Sequence, residues 1–181
     1  MKKLINKVFL STTVVFSILL AVVSCKKGET TFDETKLNGT DSFFVQKSAA
    51  YDSAEIRAAA LALTKVDSAY MIAYSESILL DHFKARNDLK VMGNVVGFTV
   101  EDSISNQNKT FIAYLASLPD STFDSTYIVS RLALQQSIVE MYIDEVDNGN
   151  QKNIRNYASY YLDVVRQQYN RADSIRFAFF P

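Results

Sequence analysis

Histidine and cysteine, two residue types with strongly reactive side chains, each occur once in this chain. His82 follows Asp81 inside the stretch SILLDHFKARNDL, residues 77–89. An imidazole beside a carboxylate is typical of acid–base catalysis and of metal binding. Cys25 is the single cysteine, and a free thiolate would be a nucleophile or a metal ligand. The sequence around each residue decides which of these roles is open to it.

The first 25 residues have the pattern of a bacterial export signal. Lys2, Lys3 and Lys7 precede an almost uncharged apolar run, and the run ends in AVVSC, the form of a lipobox. We therefore predict that residues 1–24 are a lipoprotein signal peptide and that Cys25 is lipidated, as the first residue of the mature protein. An ordinary secreted protein with one free thiol, or an uncleaved anchor, is the alternative. A lipid-bearing cysteine is excluded as a nucleophile, redox centre or metal ligand.

The residues after Cys25 predict a tether. Residues 25–40 are polar and show no apolar period, so we expect a flexible segment between the lipid and a folded domain over 41–181. Two or more acyl chains give stable anchoring. The predicted partner is thus the membrane, through the N-terminal lipid, and the predicted location is the cell envelope. Which membrane and which leaflet the lipid enters stays open.

Composition narrows the range of possible fold classes and binding partners. Without the signal, the chain has 16 Lys and Arg against 20 Asp and Glu, a net charge of minus 4. This balance, with no basic patch, argues against a nucleic-acid partner. Five glycines and two prolines are too few for a many-turned β protein, so long helices are favoured.

Apolar residues at steps of three and four predict five helices. The second helix carries His82 on its apolar stripe, between Ile78 and Ala85, so His82 points inward. A capping box formed by Thr99 and Asp102 opens the short third helix. Four long helices with short connections predict an all-α four-helix bundle with one extra short helix. The expected bounds are 41–65, 67–96 with Asp67 as cap, 102–118, 121–148 and 150–176.

Most of the apolar stripes carry one polar residue near mid-helix. These residues are His82, Gln135 and Gln168, and Glu55 flanks the stripe of the first helix. Because helices of about 25 residues extend roughly 38 Å, residues near the middle of each can lie at one level. The sequence therefore predicts a buried polar cluster of Glu55, His82, Gln135 and Gln168.

Several segments together resemble a ferritin-like family of exported bacterial proteins, a domain of unknown function. They are FVQKSAAYDSAEIRAAALA at 44–62, DHFKARNDL at 81–89, FDSTYI at 123–128 and NIRNYASYYL at 153–162. The resemblance implies a ferritin-like bundle and an envelope location, and it implies no reaction. That family commonly has the Asp-His pair, here Asp81 and His82, and two further histidines at positions that are Gln135 and Gln168 in this chain.

The residues allow three hypotheses for the function: a metal or redox site, hydrolytic or transferase catalysis, and a non-enzymatic binding or structural role. A ferritin-type metal site would use a Glu-x-x-His motif, but Leu79 stands three residues before His82. A zinc site from His82, Glu55 and Asp81 is disfavoured because adjacent residues on a helix project about 100 degrees apart. No nucleophile elbow, phosphate loop or dinucleotide fingerprint supports hydrolysis or group transfer.

The prediction is therefore a lipid-anchored envelope protein that binds a protein or a small ligand, or has a structural role, with no catalytic residue, no metal ligand and no cofactor. The alternative is a metal-binding or redox-active ferritin-like protein.

Overall fold

The computed structural model describes residues 33–180, and within them the ordered secondary structure is helical, with no strand. The predicted signal peptide, Cys25 and the first part of the predicted tether lie outside the described residues. Five helices follow one another: α1 (Gly39–Ala62), α2 (Ala69–Val96), α3 (Asn106–Ser117), α4 (Asp120–Asn148) and α5 (Lys152–Phe179). The predicted all-α bundle of four long helices and one short helix is confirmed. Among the described residues, no helix has the length and apolarity needed to cross a membrane.

The four long helices pack in a square, in the order α1, α2, α5, α4. Asn38 at the start of α1 donates to the carbonyl of Asn148 at the end of α4, so these helices are antiparallel. The ring of Tyr70 in the first turn of α2 contacts that of Phe179 at the end of α5. The pairs α1–α2 and α4–α5 are hairpins. Hence α1 runs parallel to α5, α2 runs parallel to α4, and the chain must cross the length of the bundle between α2 and α4.

The crossover consists of residues 97–105 and α3. Gly97 ends α2 in the left-handed conformation, with φ 83°, and its amide donates to Gly93. Asp102 then forms salt bridges with two residues of α2, Lys90 at 3.0 Å and Arg86 at 3.3 Å. The predicted capping box of Thr99 and Asp102 is therefore wrong. The α3 helix begins four residues later, where the Ser105 hydroxyl accepts from the Asn108 amide.

The other helix starts also differ from the predicted caps. The α1 cap is Asn38 rather than Asp41, and α2 follows Ser68 rather than Asp67. Residues Asp33–Asn38, predicted as part of the flexible tether, are hydrogen bonded to the bundle. Asn150 donates to the carbonyls of Asp33 and Lys36, and the Lys152 amide donates to Glu34. The bundle therefore includes the end of the predicted tether.

Asp41 joins the starts of α1 and α5. Its buried carboxylate accepts the Asn38 amide at 2.6 Å and the amides of Asn150 and Gln151 at 3.0 Å each. The Asn38 side chain accepts the Asp41 amide in return, which completes a capping box. One carboxylate thus satisfies the free amides of two helix starts.

Glu145 is buried in the same corner, in the last turn of α4. Burial, together with the neighbouring Asp41 carboxylate, raises the pKa of Glu145 to about 9. The carboxyl group is therefore protonated at neutral pH, which avoids a second buried charge beside Asp41. A Cβ on Gly149 would collide with a Glu145 carboxyl oxygen, so the glycine makes room for this group.

We predict that Glu145→Gln removes a pH-dependent loss of stability. Because folding raises the Glu145 pKa from 4.5 to about 9, the folded state holds a proton that the unfolded state releases. The stability contributed by Glu145 is full below about pH 4.5 and is lost as the pH rises through 9. The introduced amide is neutral at every pH. The difference in melting temperature between variant and wild type should therefore grow from pH 5 to pH 9.

The matched control is Glu140→Gln, at an exposed position of the same helix. Its melting temperature should follow the wild-type pH profile. Parallel profiles for Glu145→Gln and wild type would contradict a protonated Glu145.

Candidate functional site

Six polar side chains from all four long helices form a buried layer across the middle of the bundle. We call it the polar layer, and each member is at most 4% exposed. An apolar cluster at the Asp41 end lies on one side of it, and a second apolar cluster lies on the other. The members of the polar layer are Asp52, Glu55, His82, Arg131, Gln135 and Gln168.

His82 has a partner at each ring nitrogen. Nδ1 lies 2.8 Å from Oδ1 of Asp52 on α1, and Nε2 lies 3.1 Å from Oε1 of Gln168 on α5. The Gln168 amide nitrogen donates to Oδ2 of Asp81 at 3.1 Å. The edge of the His82 ring also meets the Tyr51 ring, with centroids 5.0 Å apart. His82 thus connects α1, α2 and α5.

The partners determine the protonation of His82. A carboxylate only accepts hydrogen bonds, so the Gln168 NH2 group faces Asp81 and the Gln168 oxygen faces His82. Nε2 must therefore carry a hydrogen. The remaining proton lies in the contact between Nδ1 and Asp52, either as an imidazolium with a carboxylate or as a neutral imidazole with a carboxylic acid. Both arrangements are neutral overall.

The shifts in pKa agree with a proton retained by this pair. Burial raises the pKa of Asp52, and the hydrogen bond and charge of His82 offset only part of that rise. Burial alone would lower the pKa of His82, but the hydrogen bond and charge of Asp52 turn the shift upward. Both directions favour the protonated pair across neutral pH. A general base needs a ring nitrogen free to accept a proton, and His82 has none.

Glu55 and Arg131 form a buried ion pair between α1 and α4. The Arg131 guanidinium lies 5.6 Å from the centroid of the Phe111 ring and 5.5 Å from that of Tyr127. Burial opposes the charge on Arg131, yet Glu55 raises the pKa of this guanidinium above its usual value. Arg131 therefore stays charged and neutralises Glu55.

Gln135 occupies the same layer but makes a weaker contact. Its Nε2 lies 3.4 Å from the Tyr74 hydroxyl, and its Oε1 has no hydrogen-bond partner among the described residues. The second carboxylate oxygens of Asp52 and Glu55 and the Nε of Arg131 are likewise buried without a described partner. Such atoms are costly in an apolar interior, so the layer retains capacity to bind small polar groups.

The structure brings the four predicted residues into one layer and shows the partner of each. His82 bonds Gln168 directly, whereas Glu55 binds Arg131 and Gln135 binds Tyr74. Sequence reasoning missed Asp52 and Arg131. Asp52 could have been found, since it follows Ala49 by three residues and precedes Ile56 by four, the spacing of one helix face.

The polar layer does not gather metal ligands. Within residues 33–180, no group of three or more His, Cys, Asp or Glu side chains has a geometry that could hold a metal ion. His82 would have to release Asp52 or Gln168 to present a ring nitrogen to a metal. The arrangement binds helices to one another and stores one proton.

Arg131 also reaches a surface groove between α3 and α4, which we call the α3–α4 groove. The groove is mostly apolar, and its wall includes Phe111, Tyr114 and Leu134. It is the place where the polar layer meets the surface through a charged side chain.

A protein-family model described as a domain of unknown function, DUF4142, matches residues 27–175. The match covers nearly all of the bundle. The chain belongs to the DUF4142 family. This family assignment confirms the predicted resemblance to a domain of unknown function and specifies no reaction.

One solved structure supports the fold. A DUF305 fragment from Deinococcus radiodurans, known from its crystal structure, superimposes with a TM-score of 0.68 at 15% sequence identity. The alignment covers 77% of this chain and 96% of the fragment. At that identity the likeness shows a shared helical bundle and nothing about activity. No curated protein matches the chain.

We predict that Arg131→Met destabilises the protein strongly and that a second substitution restores much of the loss. Arg131→Met leaves the Glu55 carboxylate buried without its counter-charge, which costs about 3–5 kcal/mol of unfolding free energy. Adding Glu55→Leu removes that charge, so the double variant should be more stable than Arg131→Met alone. Urea unfolding of the two single variants and the double variant measures the coupling.

Arg166→Met provides a matched control. Arg166 lies 3.8 Å from Asp163 on the surface, so its removal should change stability by at most about 1 kcal/mol. A loss of stability in the double variant equal to the sum of the losses in the two single variants would show that Glu55 and Arg131 are not coupled.

Proposed function

We propose that this protein is a lipid-anchored protein of the bacterial cell envelope whose ferritin-like bundle binds a small ligand or another protein and catalyses no reaction. The observation that carries the proposal is the pairing of the polar layer. His82, the side chain best suited to catalysis or metal binding, has both ring nitrogens occupied. The charge of Glu55 is neutralised by Arg131.

The ferritin-like assignment is supported by the course of the chain. Two helical hairpins joined by one long crossover, with α2 parallel to α4, are the connectivity of ferritin-like bundles. Proteins of that class place metal ligands on the inward faces of all four helices. In this chain, Gln135 and Gln168 occupy two of the inward positions, and amides are weaker ligands than imidazoles for such metals.

The lipid anchor is supported by the sequence. The charged start, the apolar run and AVVSC precede the single cysteine. The bundle begins only a few residues further on, with Asp33 to Asn38 held against the start of α5.

We predict that Cys25 is acylated when the full-length chain is expressed in a bacterium with a lipoprotein pathway. Mass spectrometry should find the mature protein starting at Cys25 with a diacylglyceryl group and an N-acyl chain. The wild-type protein should partition into the detergent phase, and Cys25→Ser should lose both modifications and partition into the aqueous phase. A mature wild-type protein without lipid would contradict the envelope-anchor proposal.

The second candidate function, a metal-binding or redox protein, is favoured by one observation. Asp52 and Glu55 each present a buried carboxylate oxygen without a described partner, close to His82. A cation held there would require His82 and both carboxylates to rearrange, because in their present positions they do not form a metal-binding group.

His82→Leu separates the two functions. If the polar layer has only a structural role, the variant leaves Asp52 and Gln168 without their His82 partner. Each unsatisfied group then lowers the free energy of unfolding by about 1–3 kcal/mol. We predict a lower melting temperature and a metal content equal to that of wild type. Stoichiometric iron, zinc or manganese in the wild-type protein that is lost in His82→Leu, measured by elemental analysis, would favour the metal-binding function instead.

A further inference from the structure

The α3–α4 groove has the size and lining of a small-molecule site. Its volume is about 850 Å³, within the range of about 300–1,000 Å³ typical of ligand pockets. The rings of Phe111 and Tyr114 lie 6.3 Å apart and form an aromatic wall, and Tyr114 is half exposed. The lining residues are Gln107, Asn108, Thr110, Phe111, Tyr114, Ser130, Arg131, Ala133 and Leu134.

The floor of the groove holds one charged group. Arg131 is the sole charged side chain among the described lining residues, and it is 97% buried because its exposed fraction is 3%. Its Nε has no hydrogen-bond partner among the described residues, and neither has Oε2 of Glu55, its ion-pair partner. One unsatisfied donor and one unsatisfied acceptor therefore belong to the same ion pair at the base of an apolar groove.

A smaller cavity of about 10 Å³ adjoins the groove and leads to Glu55. It shares Asn108, Phe111, Arg131 and Leu134 with the groove. Its volume is close to that of one water-sized sphere. A polar group that enters it is therefore limited to about one oxygen atom, which excludes a carboxylate or a phosphate.

The electrostatics select a neutral group. Glu55 repels an anion and Arg131 repels a cation, while the pair as a whole is neutral. A hydroxyl can donate to Oε2 of Glu55 and accept from Nε of Arg131 at once, which a carbonyl or an ether cannot do. It thereby satisfies both buried atoms.

We propose that the α3–α4 groove binds a neutral aromatic small molecule with one hydroxyl group, whose ring lies along Phe111 and Tyr114 and whose hydroxyl binds the Glu55–Arg131 pair. This assignment rests on the proposed binding function and specifies its ligand class.

A set of four probes tests the assignment on the full-length protein in phosphatidylcholine nanodiscs, with partition into empty nanodiscs subtracted. The probes are 2-naphthol, 2-methoxynaphthalene, naphthalene and 2-naphthoate, at a neutral pH where the naphthol hydroxyl is uncharged. The side-chain Nε–H resonance of Arg131 should shift with 2-naphthol. The Kd for 2-naphthol should be at least about tenfold lower than for each other probe, because a hydroxyl bonded to charged groups gains more than a neutral contact does.

Two alanine variants locate the site. Ala133 is exposed on α4 and lines the groove, so Ala133→Phe should fill it and weaken 2-naphthol binding at least about tenfold. Ala113→Phe, at an exposed position of α3 outside the lining residues, should leave the Kd unchanged. Circular dichroism should show wild-type melting for both variants.

Three results would overturn the assignment: equal affinity for 2-naphthol and naphthalene, preference for 2-naphthoate, or unchanged binding in a folded Ala133→Phe. Any of them, with Cys25 acylated, contradicts the groove site and leaves the proposed envelope function standing. An unlipidated Cys25 contradicts the proposed function whatever the probes do.

Discussion

The proton between Asp52 and His82 is the interaction on which the middle of the bundle depends. It lets a carboxyl group and an imidazole share one neutral unit in an interior where either charge alone would be costly. His82 reaches α5 through its contact with Gln168, which also donates to Asp81 on α2. The ion pair of Glu55 and Arg131 connects α1 to α4. Hydrogen bonds or ion pairs thus connect all four long helices at one level.

The polar layer fixes the register of the long helices along the bundle axis. The apolar clusters on either side are built largely from Ala, Ile, Leu, Val and aromatic side chains, which tolerate small shifts of register. Hydrogen bonds are shorter in range and directional, so a shift of one helical turn would leave His82 and Glu55 unpaired. The pairing therefore fixes the register of the four long helices at this level.

The crossover gives the polar layer an approach from the surface at Arg131. The α3 helix is only twelve residues long and covers the Glu55–Arg131 pair from one side. Its partial cover creates a groove with aromatic walls and an ionic floor. A bundle with a tight hairpin in place of the crossover would lack this groove.

The sequence by itself determined the helices, the inward orientation of His82 and the presence of one polar residue at mid-length of most stripes. These features follow from local periodicity, because 3.6 residues per turn assign each position to a face without reference to any neighbour. The same spacing places Asp52 on the face of Val45, Ala49 and Ile56, a signal that the predicted cluster did not include. Helix starts were less well determined, since Asn38 and Asp41, or Ser105 and Asp102, compete as caps and tertiary contacts decide between them.

Only the tertiary structure decided which polar groups meet. His82 lies 30 residues from Asp52 and 86 from Gln168, and Glu55 lies 76 from Arg131. Such pairs depend on the square order of the helices and on the crossover that makes α2 parallel to α4. No local pattern encodes that order, because each helix presents the same kind of apolar stripe to whichever neighbour it packs against.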